Sequence, residues 1–443
     1  MPAWLASLIF FSVLGLLVGS QAFFFWRARK FVRTRPQRWQ RWALGVPLYG
    51  WFLLMAVIFV LAPLRWVVAG SAPILLSLFM QFRRPEVMTP VGLWLTASMF
   101  SFLLIVLVRA AGLLARGASR LTKARPAAPE GVVVERRHFL QTATYAAGAL
   151  PFVMVGYGFL IGRQNYRVQE VAVPLATLPE ALDGLRLLQL TDVHASAYMP
   201  VAEIRRVAGL AKEVEADLVL HTGDFITSRG DPLEAAIHEL SVVEGRYGSF
   251  GCLGNHEIYA GAEDYTTEMF ARRGVLILRG RNTELEINGA KLNLIGVDYQ
   301  RQPRRLEPEV DAQGRILFRQ WAANFLKGVE RLVRPGMPNI LLTHNPNPFV
   351  RAAELGIDLT LAGHTHGGQV QVEILDTRWS PARFITPFIS GLYERRPVPS
   401  DQRPVGRSKT CFLYVSRGIG TIAAPVRLNA PPEITLLTLR RTT

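Results

Sequence analysis

The chain has 443 residues, with 50 Lys and Arg against 34 Asp and Glu, and half of its residues are hydrophobic. That length allows two or three domains with full cores. Two cysteines, Cys252 and Cys411, exclude a disulfide-built scaffold and a thiolate metal motif; they read as small core residues or as a single pair. The net charge of +16 invites a nucleic-acid reading, but its distribution argues against one.

The excess charge sits in two blocks. Arg27, Arg29, Lys30, Arg33, Arg35, Arg38 and Arg41 form the first, and Arg109, Arg116, Arg120, Lys123, Arg125, Arg136 and Arg137 the second. Between and around them lie the apolar runs Pro2–Trp26, Ala43–Ala69, Val91–Ala115 and Phe139–Gly162, each long enough to cross a bilayer. Val67–Met80 is short for a span and reads as a re-entrant or interfacial piece, or as half of an extra hairpin. With four spans both basic blocks fall on one side, which the positive-inside rule assigns to the cytoplasm. Everything after Gly162 is then expected outside. Arg136-Arg137-His138-Phe139-Leu140 resembles the core of a twin-arginine export signal, although Glu135, Gln141 and its internal position depart from that pattern. It is either such a signal or a plain basic flank, and both place the following domain outside. No small-residue cleavage site precedes that domain, so a cleaved signal peptide is not expected. No ionisable residue lies deep in a span, so residues 1–162 read as a transmembrane anchor rather than a transport path.

From residue 163 to 443 the chain reads as a soluble α/β domain. Leu185–Leu190 is an apolar strand that stops at Asp192 and His194, and Pro200–Glu215 has helical spacing. Asp217–Leu220 is a second strand, ending in His221-Thr222-Gly223-Asp224, followed by a helix over Pro232–Leu240. Tyr247–Leu253 is a third, ending in Gly254-Asn255-His256-Glu257. The intervals suit strand-helix-strand units, in which functional groups collect at the strands' carboxyl ends. After a helix over Ala262–Arg272 the pattern reads as antiparallel: Val275–Leu278, Glu284–Ile287 and Lys291–Val297, with Asn288-Gly289 as a hairpin turn. A helix is expected over Phe318–Val333, and strands over Asn339–Thr343, Gln369–Ile374, Thr410–Ser416 and Glu433–Leu439. Asn339–Thr343 ends in His344, and the apolar run Ile357–Ala362 ends in Gly363-His364-Thr365-His366-Gly367-Gly368-Gln369. Two histidines around one residue converge when the backbone turns, and the glycines permit that turn.

The strand ends thus collect Asp192, His194, Asp224, Asn255, His256, His344, His364 and His366. A set of imidazole, carboxylate and amide donors without thiolate suits Mn, Fe, Zn or Ni. Two metals bridged by one carboxylate need about this many ligands and form a known apparatus for phosphoester hydrolysis.

In order, Asp192-x-His194, Gly223-Asp224, Gly254-Asn255-His256-Glu257, His344 and Gly363-His364-x-His366 resemble the motifs of the calcineurin-like metallophosphoesterase superfamily. The resemblance covers about residues 165–443, and the tail Ser416-Arg417-Gly418-Ile419-Gly420, Arg427 and Pro432-Glu433-Ile434 is similar to a bacterial membrane-anchored branch. It implies a two-sheet β-sandwich flanked by helices, here preceded by about four transmembrane helices. It implies two divalent metal ions, one held by Asp192, His194 and His366, the other by Asn255, His344 and His364, with Asp224 bridging. A metal-bridging hydroxide would attack phosphorus, and His256 would protonate the leaving oxygen. Protein phosphatases of the superfamily carry an acidic residue and an arginine after Gly-Asp, where this chain has Phe225-Ile226-Thr227-Ser228. That speaks against a protein phosphatase and leaves the group that orients His256 open.

Among weaker candidates, His221 is either a support for the site or a packed polar core residue, and Arg417 either a phosphate ligand or a structural arginine. Glu257 reads as a local hydrogen-bond partner, and His138 and His238 as flank and surface residues. The expected protein is a multi-pass phosphoesterase of the bacterial cytoplasmic membrane, its catalytic domain outside, acting on a phosphodiester or phosphomonoester of a lipid or envelope component. The alternatives are a non-catalytic membrane module that binds metal and a phosphorylated ligand, and, less favoured for want of a nucleic-acid module, a nuclease.

Overall fold

The computed structural model describes residues 3–68, 85–121, 130–300, 325–374, 377–384, 386–396 and 410–442. The chain divides into two compact units, Met1–Tyr157 and Gly158–Thr443.

The first unit is built from long helices: α1 (Ala3–Arg33), α2 (Arg38–Val68), α3 (Pro85–Leu121) and α4 (Glu130–Leu160). Four helices among the described residues are long and apolar enough to cross a membrane. Several polar side chains of these helices find partners on a neighbouring helix, which hydrocarbon surroundings favour. Gln21 Nε2 donates to Ser98 Oγ at 2.9 Å, Trp94 Nε1 donates to Gln21 Oε1 at 2.8 Å, and Ser101 Oγ donates to the Gly148 carbonyl at 2.7 Å. Residues 69–80, where an interfacial piece was expected, lie outside the described residues.

The second unit has two six-stranded mixed sheets flanked by helices, the sandwich that the motifs imply. The first sheet runs in the order β1 (Arg167–Leu175), β14 (Glu433–Arg441), β2 (Arg186–Leu190), β3 (Leu218–Thr222), β4 (Ser249–Cys252) and β5 (Val275–Ile277). Strands β2 to β5 are parallel, whereas β14 pairs antiparallel with β2 and parallel with β1. The crossovers are α5 (Val201–Lys212), α6 (Leu233–Leu240), and the pair α7 (Asn255–Ala260) and α8 (Glu263–Ala271). Alternation along β2 shows how the layers form. Leu188 and Leu190 join Ile204, Val207, Ile237, Leu240 and Phe270 beneath the helices, while Leu187 faces the second sheet with Leu218, Leu294, Ile340 and Leu361. Cys252 and Cys411 are buried core residues that no disulfide joins.

The second sheet runs β12 (Gly391–Arg395), β13 (Cys411–Val415), β9 (Leu359–Ala362), β8 (Asn339–Thr343), β7 (Ala290–Val297) and β6 (Arg281–Ile287). Here the antiparallel expectation is corrected. Only β6–β7, joined at Asn288-Gly289, and β12–β13 are antiparallel; β7, β8, β9 and β13 pair in parallel. Apolar runs carry no sense of direction. The connection, such as α9 (Phe349–Glu354) between β8 and β9, decides it. Over the expected helix Phe318–Val333, residues 318–324 lie outside the described residues, and the remainder holds only a 3-10 turn over Val329–Arg331, preceded by Gly328 at φ 81°. The strand expected over Gln369–Ile374 begins only at Val372, because Gln369 has φ 54° and follows a 3-10 turn over His366–Gly368. Strand β10 (Val372–Ile374) then pairs with β11 (Thr377–Trp379).

Candidate metal centre

Asp192, Asp224 and Asn255 follow the parallel strands β2, β3 and β4 of one sheet; His344 and His364 follow β8 and β9 of the other. The two sheets therefore bring their carboxyl ends to one place. Asp192, His194, Asp224, His364 and His366 all have φ between 51° and 72°, a left-handed conformation that side chains other than glycine seldom adopt. Each costs something of the order of 1–3 kcal/mol unless the surroundings enforce it, and such residues cluster at functional sites.

Here the surroundings do enforce it. Asp192 N–H donates to the Gly223 carbonyl and His194 N–H to the Asp224 carbonyl, both at 3.0 Å. Asp192 also receives the His364 N–H at 2.9 Å, and Asp224 Oδ1 receives that of His256 at 2.9 Å. Two glycines are compulsory. A Cβ on Gly254 would strike the Asp224 carboxylate, and one on Gly363 would strike that of Asp192.

The side chains then meet in overlapping groups: Asp192, His194 and His366; His194, Asp224 and His256; Asp224, His344 and His364. His366 Nε2 lies 3.3 Å from Asp192 Oδ1 and 3.0 Å from His194 Nε2. Asp224 Oδ2 lies 3.0 Å from His344 Nε2, 3.5 Å from His194 Nε2 and 3.9 Å from His256 Nε2. His344 Nε2 is in turn 3.1 Å from His364 Nδ1. Asp224 belongs to two of the three groups. Asn255 opens α7 next to His256, and its buried Oδ1 has no hydrogen-bond partner.

Burial pushes Asp192 up to about 6, with His344 opposing and the charge of Asp224 adding. Burial holds His194 down to about 3 and His364 down to about 4, and depresses His366 well below the ordinary imidazole value. Burial also disfavours charge on Asp224 and His344, but their mutual contact outweighs it. The Asp224 carboxyl falls below the usual carboxylate range, and His344 rises to about 9. The neutral imidazoles keep lone pairs that face one another at hydrogen-bond distance. With the orphaned Asn255 oxygen, this is a donor set that fits divalent cations.

The supporting residues were mostly invisible in the sequence. The Thr222 carbonyl faces His344 Nδ1 at 2.8 Å, which leaves Nε2 free to ligate. The Thr227 carbonyl does the same for His256 Nδ1 at 2.6 Å and is the orienter that the missing acidic residue left open. The Glu257 carboxylate accepts the N–H groups of Asp224, Phe225 and Gly254 at 3.0, 2.8 and 2.9 Å, as a local hydrogen-bond partner. Tyr299, after β7, lays its ring 5.5 Å from that of His364. Arg417, weighed as a phosphate ligand, instead pairs with Glu433 at 2.6 Å. His221 packs against Phe270 with neither ring nitrogen hydrogen-bonded, while His138 and His238 are exposed. Arg427, one residue of the family-like tail, is fully buried and lies with Nη2 3.5 Å from His366 Nδ1.

Residues 185–368 match the family model for calcineurin-like phosphoesterases. The chain is 28% identical over 305 residues to a transmembrane protein with a metallophosphoesterase domain from Danio rerio, covering 67% of this chain and 63% of that protein. It thus spans less than two thirds of the length of that relative. It is 26% identical to the metallophosphoesterase YkuE of Bacillus subtilis, over 70% of this chain and 99% of YkuE. It is 24% identical to the phosphodiesterase YaeI of Escherichia coli, over 69% of this chain and all of YaeI. Five motifs converge on one buried site, and residues 185–368, which include the strands that carry them, form a calcineurin-like phosphoesterase domain.

Proposed function

We propose that this protein is a membrane-anchored, metal-dependent phosphoesterase, with residues 1–162 as anchor and 163–443 as catalytic domain. The observation that carries the reading is the three overlapping His/Asp groups at the strand ends, joined through Asp224 and His194. Asp192, His194 and His366 would hold one ion and Asn255, His344 and His364 the other, with Asp224 between them. When bound, two divalent ions supply Lewis acidity and an activated water-derived nucleophile for in-line displacement at phosphorus. The protein's own part is positional. Gly254 and Gly363 let the carboxylates pack under the backbone, and Glu257 fixes four amides of the loops that carry Asp224 and Asn255. His256 donates Nδ1–H to the Thr227 carbonyl, and its side chain is 16% exposed. Its Nε2 is then placed to pass a proton to the leaving oxygen.

The four apolar helices, with basic blocks expected on the cytoplasmic side, favour the outer face of a bacterial cytoplasmic membrane. An anchored site favours phosphodiesters or monoesters of lipid or envelope components, and the name of YaeI as a phosphodiesterase supports the diester class. The test is hydrolysis of bis-p-nitrophenyl phosphate and p-nitrophenyl phosphate by full-length protein in detergent, stripped of metal and resupplied with Mn, Fe, Zn or Ni. Turnover should require metal and vanish in Asp224→Asn. Turnover retained in that variant would refute the proposal, and the ratio of the two rates decides between diester and monoester.

A further inference from the structure

Each member of the Asp192–His194–His366 group is gripped through neighbouring backbone. Ile419 N–H donates to the Thr191 carbonyl at 3.1 Å and Gly420 N–H to that of Asp192 at 2.7 Å. Ser196 Oγ donates to the His194 carbonyl at 2.9 Å. Just past His366, Gln369 is laced to the same tail: Ile422 N–H donates to its Oε1 at 2.7 Å and Leu428 N–H to its carbonyl at 2.8 Å.

One buried side chain holds that tail in shape. Arg427 donates to the carbonyls of Gly420, Ala430, Arg417 and Gly418 at 3.1, 3.0, 2.9 and 3.0 Å. A buried guanidinium is costly unless its donors are satisfied, so the four carbonyls and Arg427 fix one another. The backbone of Arg427 is held in turn by the last turn of α4, where its N–H donates to the Gly158 carbonyl at 3.2 Å. There is no room for a side chain at that point. A Cβ on Gly158 would lie 2.6 Å from Val426 Cγ1 and 3.0 Å from the Arg427 carbonyl oxygen. Arg163 extends the grip. It donates to the carbonyl of Phe159 in α4 and to that of Tyr198 at 2.7 Å each, and Tyr198 N–H donates to Ser196 Oγ at 3.3 Å.

We propose that the end of α4 is a positioning strut for one half of the metal centre. Gly158 and Arg163 fix Arg427 and Tyr198, and these set where His366, Asp192 and His194 stand. His344 is held by the Thr222 carbonyl instead, and the second group meets the first through the His364 N–H on Asp192, so displacing the strut weakens the ion at Asp192, His194 and His366 far more than the other. The inference rests on the two-ion reading proposed above.

The test compares Gly158→Ala with Gly156→Ala, at a glycine of the same helix whose Cβ would meet nothing within 4 Å. Full-length protein in detergent is stripped, loaded with Mn²⁺ and measured by elemental analysis and electron paramagnetic resonance. Wild type and Gly156→Ala should hold two spin-coupled ions per chain. Gly158→Ala should hold one tightly, with an uncoupled spectrum, and bind the second at least about tenfold more weakly, the usual scale for loss of a ligand's support. Adding Val426→Ala, which removes the nearest colliding atom, should restore the second ion. Two equally tight ions in Gly158→Ala would overturn the strut, as would loss of both ions or failure of the double variant to recover. A wild type that binds no Mn²⁺ would overturn the two-ion reading itself, and the strut with it.

Discussion

His221 lies in β3 with its ring centroid 5.4 Å from that of Phe270 and 6.1 Å from that of Phe225. It is wholly buried, and neither ring nitrogen has a hydrogen-bond partner. Burial alone pushes its pKa down to about 4. In the unfolded chain the imidazole titrates near 6.5, so between these values the unfolded state binds more protons and stability falls as the pH falls. The difference is worth about 3 kcal/mol when complete below pH 4, and about 2 kcal/mol at pH 5. His221→Phe abolishes this loss and replaces two unpartnered nitrogens by carbon between two phenyl rings. It should stabilise the domain by about 1–3 kcal/mol at pH 7.5, the usual cost of an unsatisfied buried polar group. For a domain of this size 1 kcal/mol moves the melting temperature by about 2–4 °C. The gap between variant and wild type in thermal unfolding should therefore widen by about 4–8 °C from pH 7.5 to pH 5. Comparison at each pH cancels the acid sensitivity of the other histidines, which both proteins share. A gap that stays constant between the two pH values would refute the claim that His221 is held neutral by burial.

Glu257→Gln replaces an acceptor of four backbone N–H groups by a side chain that must point one N–H₂ at a donor. Thermal unfolding should show a loss of about 2–4 kcal/mol, the scale of a broken buried charge-assisted network. His256→Ala should lower kcat by about 10²–10⁴-fold with metal content unchanged, and by more for an alkyl phosphate than for a p-nitrophenyl ester, because only the poorer leaving group needs the proton. Equal losses on both substrates would remove His256 from the role of acid. Metal removal by a chelator should lower the melting temperature of the wild type, since a ligand at a thousandfold excess over its Kd contributes about 4 kcal/mol of stability per site. Asp224→Asn should lose most of that metal-dependent shift.

The site was legible because its chemistry sits at the ends of apolar runs. Leu187–Leu190, Leu218–Leu220 and Leu359–Ala362 are buried on both faces, so their sequences are hydrophobic stretches broken only by Gln189 and Thr360, and the polar residues that close them stand out. Direction was not legible, since an apolar run reads the same whether its neighbour is parallel or antiparallel, and the second sheet was misjudged for that reason. The supports of the site were hidden for a different cause. Thr222 and Thr227 act through carbonyls, which every residue carries, so no side-chain pattern marks them. Gly158 and Arg427 are far apart in the chain, and each is explained only by the other: the glycine by the backbone of Val426–Leu428 that crosses it, the arginine by the carbonyls that crossing brings within reach. Side chains that touch a metal are chosen for their atoms and can be read one at a time. Residues that hold those side chains in place are chosen for shape, and shape is a property of the folded chain rather than of any segment of it.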